Sequence, residues 1–358
     1  MKRPKIYSDE LRDQRVVKLL LPLPLIRQMD HLLLDGVGGF STRNEFVREA
    51  IESYMLELTH EPAPAEPAEM RQRRLQLRPV ADVREEDAHV DFSQEKPALS
   101  VADTALTAVP SEGPTIDGEA HVVPEPLFGM HNRDYPSLWA ARRLAAYLEE
   151  GAIAFEEFAE RATEEAWTYA AELQALEFEL GMKLTALFPT NVDKRGAASG
   201  AFRGFAIGSV SADETGLRAD GPLFLWRIIG VEPRDESVVV GLRREGRDLL
   251  ASLSGLTVAQ PHPPEMARAF LAHLREHAPP DYWGFEHVLQ TVAERPTRAE
   301  LVGAFQQARP DWRESVAATN AQGYVARARE WGLIAPKVVE GRYELTDFGL
   351  EVQRGGGA

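Results

Sequence analysis

Two histidines at helical spacing are the closest that this sequence comes to a metal site. His273 and His277 are four residues apart, so one face of a helix would present both imidazoles, which zinc and nickel accept as ligands. His262 and His287 are near them in the sequence, but no third ligand stands at an obvious spacing. His277 also comes at the end of the predicted helix, where the helix dipole favours a cation. We therefore predict no metal site and no cofactor.

A polar run, His131-Asn132-Arg133-Asp134, precedes another predicted helix. Its side chains could act in acid–base catalysis, but the run also suits a turn that caps the helix, and we expect the capping role. The sequence has no cysteine, no serine nucleophile elbow and no HExxH motif, and the loop with Gly196 and Gly200 lacks the Lys-Ser/Thr pair of a phosphate loop. It therefore predicts no catalytic residues and a protein that is not an enzyme.

Charge and composition limit the partners. The 358 residues carry a formal net charge of −16, which argues against nonspecific coating of nucleic acid, and 44% of them are apolar, enough for a sizeable core. Residues 1–60 differ, because nine basic side chains there balance nine acidic ones. No apolar signal core opens the sequence, and the proline-broken apolar run at 19–26 is too short to span a membrane. We expect a cytoplasmic protein with no membrane partner.

Residues 15–54 carry the most regular pattern in the chain. Residues 16–21 predict a short strand, which Pro22 ends. Glycines at 36, 38 and 39 separate two predicted helices, and Ser41 suits the N-cap of the second. The apolar stripes of these helices are Leu25, Ile26, Met29, Leu32 and Leu33 in the first and Phe46, Val47, Ala50, Ile51 and Tyr54 in the second.

This arrangement resembles the ribbon-helix-helix family, the DNA-binding class of the Arc and MetJ repressors, over residues 12–57. The resemblance implies a homodimer, because so small a unit must pair its strand with that of a second chain to bury its apolar face. It further implies that the two-stranded ribbon enters the major groove of double-stranded DNA, and that the start of the second helix holds a phosphate. The residues implied are Arg12, Gln14, Val16, Lys18 and Leu20 on the ribbon and Ser41, Thr42 and Arg43 at the phosphate.

The outward face of the predicted ribbon is unusually apolar. Val16 and Leu20 can touch a thymine methyl but cannot make bidentate hydrogen bonds to bases, which leaves Lys18 as the polar reader within the strand. Selectivity would then rest partly on the basic arm at residues 1–5 (MKRPK), on paired half-sites or on the C-terminal winged helix. The alternative is a dimerisation ribbon that docks on another protein.

The rest of the chain divides into a linker and a helical body. Residues 61–126 are rich in proline and glutamate and predict a disordered tether. Residues 127–256 predict a helical domain with a winged-helix-like end, because a strand at 238–242 leads into a last amphipathic helix. Residues 257–358 predict a helix at 264–277 followed by a second winged domain.

That last region, at 281–352, resembles the winged helix-turn-helix class, with helices at 281–294, 298–308 and 313–331 before a wing that turns at Glu-Gly. The long helix would place Thr319, Gln322 and Arg327 on its outward face. The sequence is compatible with two roles for this face, reading DNA and docking on another protein.

The sequence as a whole predicts a mainly α protein with small β elements, made of a ribbon-helix-helix, a disordered linker and a winged-helix-like body. The function predicted is a homodimeric transcriptional regulator that binds double-stranded DNA. The alternative is a DNA-anchored assembly protein, such as a plasmid partition, mobile-element or defence-system subunit with a protein partner. Few sites beside its own gene would favour the regulator; site arrays would favour the assembly protein.

Overall fold

Helices make up most of the described chain, with two small sheets among them. The computed structural model describes residues 99–110, 115–118, 120–180, 183–213, 216–234 and 237–355. The helices are α1 Tyr135–Glu150, α2 Phe155–Leu180, α3 Arg195–Phe202, α4 Pro222–Leu225, α5 Arg244–Ser252, α6 Pro264–His277, α7 Pro279–Ala293, α8 Arg298–Ala308, α9 Glu314–Glu330 and α10 Asp347–Gly355. The strands are β1 His121–Val122, β2 Ile153–Ala154, β3 Ser209–Asp213, β4 Gly216–Asp220, β5 Ile229–Arg234 and β6 Ser237–Leu242. The predicted mainly α class with small β elements is confirmed for these residues, and the predicted ribbon-helix-helix lies outside them.

The longest helix shows how the sequence pattern forms the core. Along α2 the apolar side chains recur at three- and four-residue spacing, and Phe158, Ala162, Ala166 and Leu173 are fully buried. Glutamates occupy much of its outer face. None of the helices in the described ranges has both the length and the apolar character needed to cross a membrane.

Each sheet is a hairpin with one short added strand. β3 and β4 pair antiparallel, and β1 adds to β4 in parallel. β5 and β6 pair antiparallel, and β2 adds antiparallel to β6. Val231, Val240 and Leu242 of the second sheet are almost fully buried. The strand predicted at 238–242 is therefore one arm of a core hairpin.

The predicted disordered linker at 61–126 was wrong for the part that the structure describes. Leu106 and Val109 are buried in the core. The backbone N–H of Ile116 donates to Leu242 O at 3.1 Å, so this segment runs along the β5–β6 hairpin. A few buried apolar side chains and paired backbone groups are enough to hold a proline-rich segment against the core. The amino-acid composition of the segment does not reveal these contacts.

One hydrophobic core crosses the predicted domain boundary at 256/257. Leu253 and Val258, on either side of it, are fully buried in the same cluster, and the described residues belong to one compact unit. The division into 127–256 and 257–358 therefore does not separate two cores.

The C-terminal third has the predicted order of three helices and a hairpin. α6 and α8 have the predicted bounds. α8 begins with a capping box, in which Thr297 Oγ1 accepts from Glu300 N–H at 3.3 Å and the Glu300 carboxylate accepts from Thr297 N–H at 2.7 Å. Residues 334–345 form the predicted hairpin, which a bridge between Thr297 and Arg342 ties to the start of α8. At its tip, Glu340 and Gly341 both have positive φ, as a tight two-residue turn requires.

Candidate functional site around helix α9

The predicted DNA contacts fall into two groups. Eight of them lie outside the described residues: Arg12, Gln14, Val16, Lys18, Leu20, Ser41, Thr42 and Arg43. The other three, Thr319, Gln322 and Arg327, all lie on α9. α9 is therefore the element on which predicted contacts have a described geometry.

Arg327 is buried, so its predicted place on an outward DNA-reading face was wrong. Its side chain is 1% exposed and lies between two fully buried carboxylates. Nε donates to Asp134 Oδ1 at 2.7 Å, while Nη1 and Nη2 donate to the two oxygens of Asp281 at 2.8 and 2.6 Å. This bidentate pair joins α9 to the first turn of α7 and to the residue before α1. The guanidinium cannot reach a phosphate or a base.

Aromatic donors complete the shells of both aspartates. Trp331 Nε1 donates to Asp134 Oδ2 at 2.7 Å, and Trp226 Nε1 donates to Asp281 Oδ2 at 2.8 Å. The hydroxyl of Tyr324 donates to Asp281 Oδ1 at 2.7 Å. Both carboxylates therefore accept hydrogen bonds from aromatic side chains and also contact the same guanidinium. These contacts offset the cost of burying the charges of Asp134, Asp281 and Arg327.

The charges in this cluster fix its protonation. Burial raises the pKa of Asp281, but the charge and hydrogen bonds of Arg327 outweigh burial and hold the pKa below its usual value. Burial lowers the pKa of Arg327, yet Asp134 and Asp281 together raise it well above its ordinary range. Burial and the charge of Asp281 raise the pKa of Tyr324 well above its usual value. The cluster is thus an ion pair with a neutral phenol donor.

Glu330, at the end of α9, caps helix α1. Its carboxylate accepts from the backbone N–H groups of Asp134 at 2.5 Å and Tyr135 at 3.2 Å, and from Arg133 Nε at 3.0 Å. Burial raises the pKa of Glu330, but contacts with His262 and Arg133 lower it below its ordinary value. The free N–H groups at the start of α1 are therefore satisfied by a side chain nearly two hundred residues later in the chain.

The run 131–134 is thus an anchor and not the capping turn that the sequence predicts. Asp134 makes no side-chain cap on α1. His131 Nε2 lies 2.8 Å from Asp134 Oδ1, and its Nδ1 lies 2.6 Å from Phe205 O. His131, Arg133 and Asp134 are at most 2% exposed, so these side chains are closed to solvent.

The segment that carries this run also crosses the outward stripe of α9. Gly129 and Gly323 meet so closely that a Cβ added to Gly323 would lie 2.5 Å from Gly129 Cα. The Gly129 N–H donates to Asn320 Oδ1 at 2.7 Å. The face of α9 that a DNA-reading helix would leave free is therefore partly covered.

What remains of that face is a shallow groove of about 300 Å³. Thr319 and Gln322 lie half-buried along it, with Asn132 and Arg298 at its sides. The Gln322 amide is within hydrogen-bond distance of the Tyr343 hydroxyl, at 3.2 Å. The groove has polar groups but one cationic side chain among its described lining residues, which is a poor match for a DNA backbone.

The hairpin at 334–345 has a mixed surface. Val338 and Val339 near its tip are exposed. Its cationic side chains include Arg342, which pairs with Glu300 at 3.3 Å. A wing that binds DNA projects basic side chains, and this one presents Lys337, which is exposed, and the paired Arg342 beside its exposed valines.

The rings of His273 and His277 lie 4.7 Å apart, as their spacing predicts, but the other contacts of the histidines considered as metal ligands differ. His273 Nε2 lies 2.7 Å from the carbonyl oxygen of Trp226, and burial lowers its pKa. His287 stacks on Trp283, and burial lowers its pKa as well. Within the described ranges, no three His, Cys, Asp or Glu side chains are arranged to hold a metal ion.

Several residues that matter most here were missed in the sequence. Asp281 and Glu330 resemble ordinary helix-surface acids, and Gly129 resembles a loop glycine. One signal was present: Arg327 and Glu330 share the face of α9 that also carries the small residues Asn320 and Gly323, a composition suited to close packing.

Comparisons of the chain with models of known protein families, with curated proteins and with solved structures find no match.

Proposed function

We propose that this protein is a homodimeric DNA-binding regulator whose DNA contact lies in residues 12–57. The observation that carries the proposal is the sequence pattern of residues 15–54, in which a short strand, a proline, a glycine turn and a capped second helix occur in the ribbon-helix-helix order. In this proposal Lys18 contacts DNA, and the second helix holds a phosphate near Ser41.

The geometry of α9 supports placing the DNA contact in residues 12–57, because it disfavours the competing hypothesis that α9 reads DNA. Arg327 is committed to Asp134 and Asp281, and Gly129 lies over Gly323, so α9 offers little for reading bases. In the proposal, the 99–355 body serves regulation or assembly and does not act as a second reader.

A selection of genomic DNA fragments by the purified full chain tests the proposal. We expect a few short inverted-repeat sites, with affinity that falls steeply as salt rises. Leu19→Asp, which puts a charge on the inward side of the ribbon, should abolish the dimer and the DNA binding together. A folded monomer of the natural sequence at micromolar concentration, measured by light scattering, or a selection with no enriched sequence would contradict the proposal.

A second function, the DNA-anchored assembly protein, is favoured by one observation. Phe128 and Met130, on the segment that crosses α9, are 44% and 49% exposed. Large apolar side chains exposed beside a polar groove are typical of protein contacts. Arrays of DNA sites together with a stoichiometric co-purifying protein would favour this function over the regulator.

A further inference from the structure

One histidine in the buried cluster around α9 has an oxygen atom against each of its ring nitrogens. His131 Nδ1 lies 2.6 Å from Phe205 O, and its Nε2 lies 2.8 Å from Asp134 Oδ1. Its side chain is 1% exposed, so the protein supplies both partners. A neutral imidazole carries one N–H, so it can donate only one of these bonds and would turn a lone pair toward the other oxygen. Both contacts are hydrogen bonds only when each ring nitrogen carries a proton.

The charges around this histidine point to the same state. Within the described residues, the network joins three carboxylates to two guanidiniums, and all five side chains are at most 1% exposed. They are Asp134, Asp281, Glu330, Arg133 and Arg327. A buried charge without a partner is costly, and these five are short of one positive charge. A doubly protonated His131 makes the count three against three.

A second histidine lies at the edge of this network. His262 Nδ1 lies 3.1 Å from Ala259 O, and its Nε2 lies 3.3 Å from Glu330 Oε1, outside hydrogen-bond geometry. One ring proton is therefore enough for the hydrogen bond that His262 makes. The contact geometry places the missing positive charge on His131 instead.

Charged groups face His131 from the helices packed around it. Asp134 Oδ1 also accepts from Arg327 Nε of α9 at 2.7 Å, so a charged His131 shares that oxygen with a guanidinium. On α7, burial raises the pKa of Asp281, while Arg327 and, to a smaller extent, the charge of His131 lower it. The indole of Trp226 forms a T-shaped contact with the imidazole, with ring centres 5.3 Å apart, a distance at which an aromatic ring can attract a cation.

The remaining bond of His131 reaches a turn far from it in the chain. Phe205 lies in the single π-helical turn Arg203–Ile207, which follows α3 and leads to β3. The charged residue of this turn, Arg203, pairs with Glu156 of α2, so the turn presents a carbonyl to His131 and not a charge. His131 therefore ties this turn to the run 131–134.

We infer that His131 is a buried imidazolium, and that its tie between Phe205 and Asp134 is a pH-sensitive device, which holds in the charged ring and weakens when the ring loses a proton. Loss of either proton breaks one of the two bonds and leaves the network one positive charge short. The turn at 203–207 and the run 131–134 then separate more readily as the pH rises. The inference does not depend on DNA binding, since no residue of 12–57 takes part.

Urea unfolding of the full chain between pH 6 and pH 9 tests the inference. A histidine that is charged in the folded protein contributes stability that is complete below about pH 6.5, where an unfolded histidine is charged too, and that is lost as the pH rises. The unfolding equilibrium constant of the natural protein should therefore increase across this range, by up to about 10-fold for each pH unit.

Three variants assign the increase to one histidine. His131→Gln keeps an N–H donor for Asp134 but cannot titrate, so it should be less stable than the natural protein at pH 6 and should lose the increase. His121→Gln is the matched control, because His121 is exposed on β1 and its replacement should leave the profile unchanged. His262→Gln should keep the increase as well.

NMR of the full chain with 15N-labelled histidine rings reads the protonation directly. At pH 7, His131 should show a proton on both ring nitrogens, in slow exchange with water because the ring is buried. Its signals are those that disappear in His131→Gln. Where that variant does not fold, contacts with the indole protons of Trp226 assign them.

Three results would overturn the inference. The first is a single ring proton on His131 at pH 7. The second is an unfolding constant in His131→Gln that rises with pH as steeply as that of the natural protein. The third is loss of the rise in His262→Gln with its retention in His131→Gln, which would place the charge on His262.

Discussion

Two adjoining faces of α9 put their polar side chains to opposite uses. The buried face carries Arg327 and Glu330, which join α9 to α7 and α1. The neighbouring face carries Thr319 and Gln322, half-buried along a groove, and the chain at Gly129 crosses α9 at Gly323, between the two faces. The comparison teaches that the charges of this helix hold the body together, while the groove along its remaining polar stripe has one cationic side chain, Arg298, among its described lining residues.

The largest expected effect comes from breaking the buried face. Arg327→Met should lower the free energy of unfolding by about 3–5 kcal/mol, because it leaves Asp134 and Asp281 buried without their cation. Urea unfolding followed by tryptophan fluorescence measures it. Arg234→Met, at an exposed ion pair with Glu232, is the control and should change stability by no more than about 0.5 kcal/mol. Equal effects in the two variants would refute the anchoring role.

The second largest effect is expected at the close contact between Gly323 and Gly129. Gly323→Ala should destabilise the protein by about 1–3 kcal/mol, because the added methyl would overlap Gly129 Cα and force the segment away from α9. Gly303→Ala is the matched control: Gly303 also lies in a helix, but a Cβ there has open space. That control should gain stability, by up to about 1 kcal/mol, from helix propensity alone. A neutral Gly323→Ala would mean that the two chains do not cross closely.

Lowering the pH should reduce the free energy of unfolding, because the carboxylates of the buried face become protonated. The pKa values of Asp281 and Glu330 are lowered in the folded protein, so the unfolded state binds protons first as the pH falls. Their stabilising contribution is therefore complete above about pH 4.5 and is lost below it, at about 1.4 kcal/mol for each unit by which the pKa is lowered. Unfolding titrations from pH 7 to pH 3 measure it.

Arg327→Met sharpens this test. Without the guanidinium, only weaker contacts such as the Tyr324 hydrogen bond oppose burial at Asp281, so its folded pKa should rise and the acid loss should begin at higher pH. An unchanged onset in the variant would show that Arg327 does not control the charge of Asp281.

The smallest expected effect is on the groove. The double variant Thr319→Ala, Gln322→Ala removes one side-chain contact to Tyr343 and should cost about 1 kcal/mol or less. The same urea titration checks it. A loss as large as that of Arg327→Met would contradict the distinction between the two faces.

The sequence predicted what is local and missed what is distant. The ends of α6 and α8 and the turn at Glu340 and Gly341 follow from caps, prolines and glycine within a few residues. The burial of Arg327 depends on Asp134, 193 residues away, which helix periodicity cannot reveal. Periodicity alone assigns a charged side chain to the outside, because a buried one needs a partner that the local pattern does not contain.

The dependence on distant partners also explains why the prediction of a disordered linker was wrong for the described residues. Proline and glutamate around residues 99–118 lowered the expected burial, whereas Leu106 and Ile116 dock through backbone hydrogen bonds to Leu256 and Leu242. Those partners lie far along the chain, so composition could not anticipate them.

One measurement tests most directly whether DNA is read by residues 12–57 and not by α9. Equilibrium binding to a fragment recovered by genomic selection should be compared for the natural protein, Lys18→Ala and the double variant Thr319→Ala, Gln322→Ala. Lys18→Ala should weaken binding about 10-fold and reduce its salt dependence, while the double variant should bind within about twofold of the natural protein. Loss of binding in the double variant with full binding in Lys18→Ala would contradict the account.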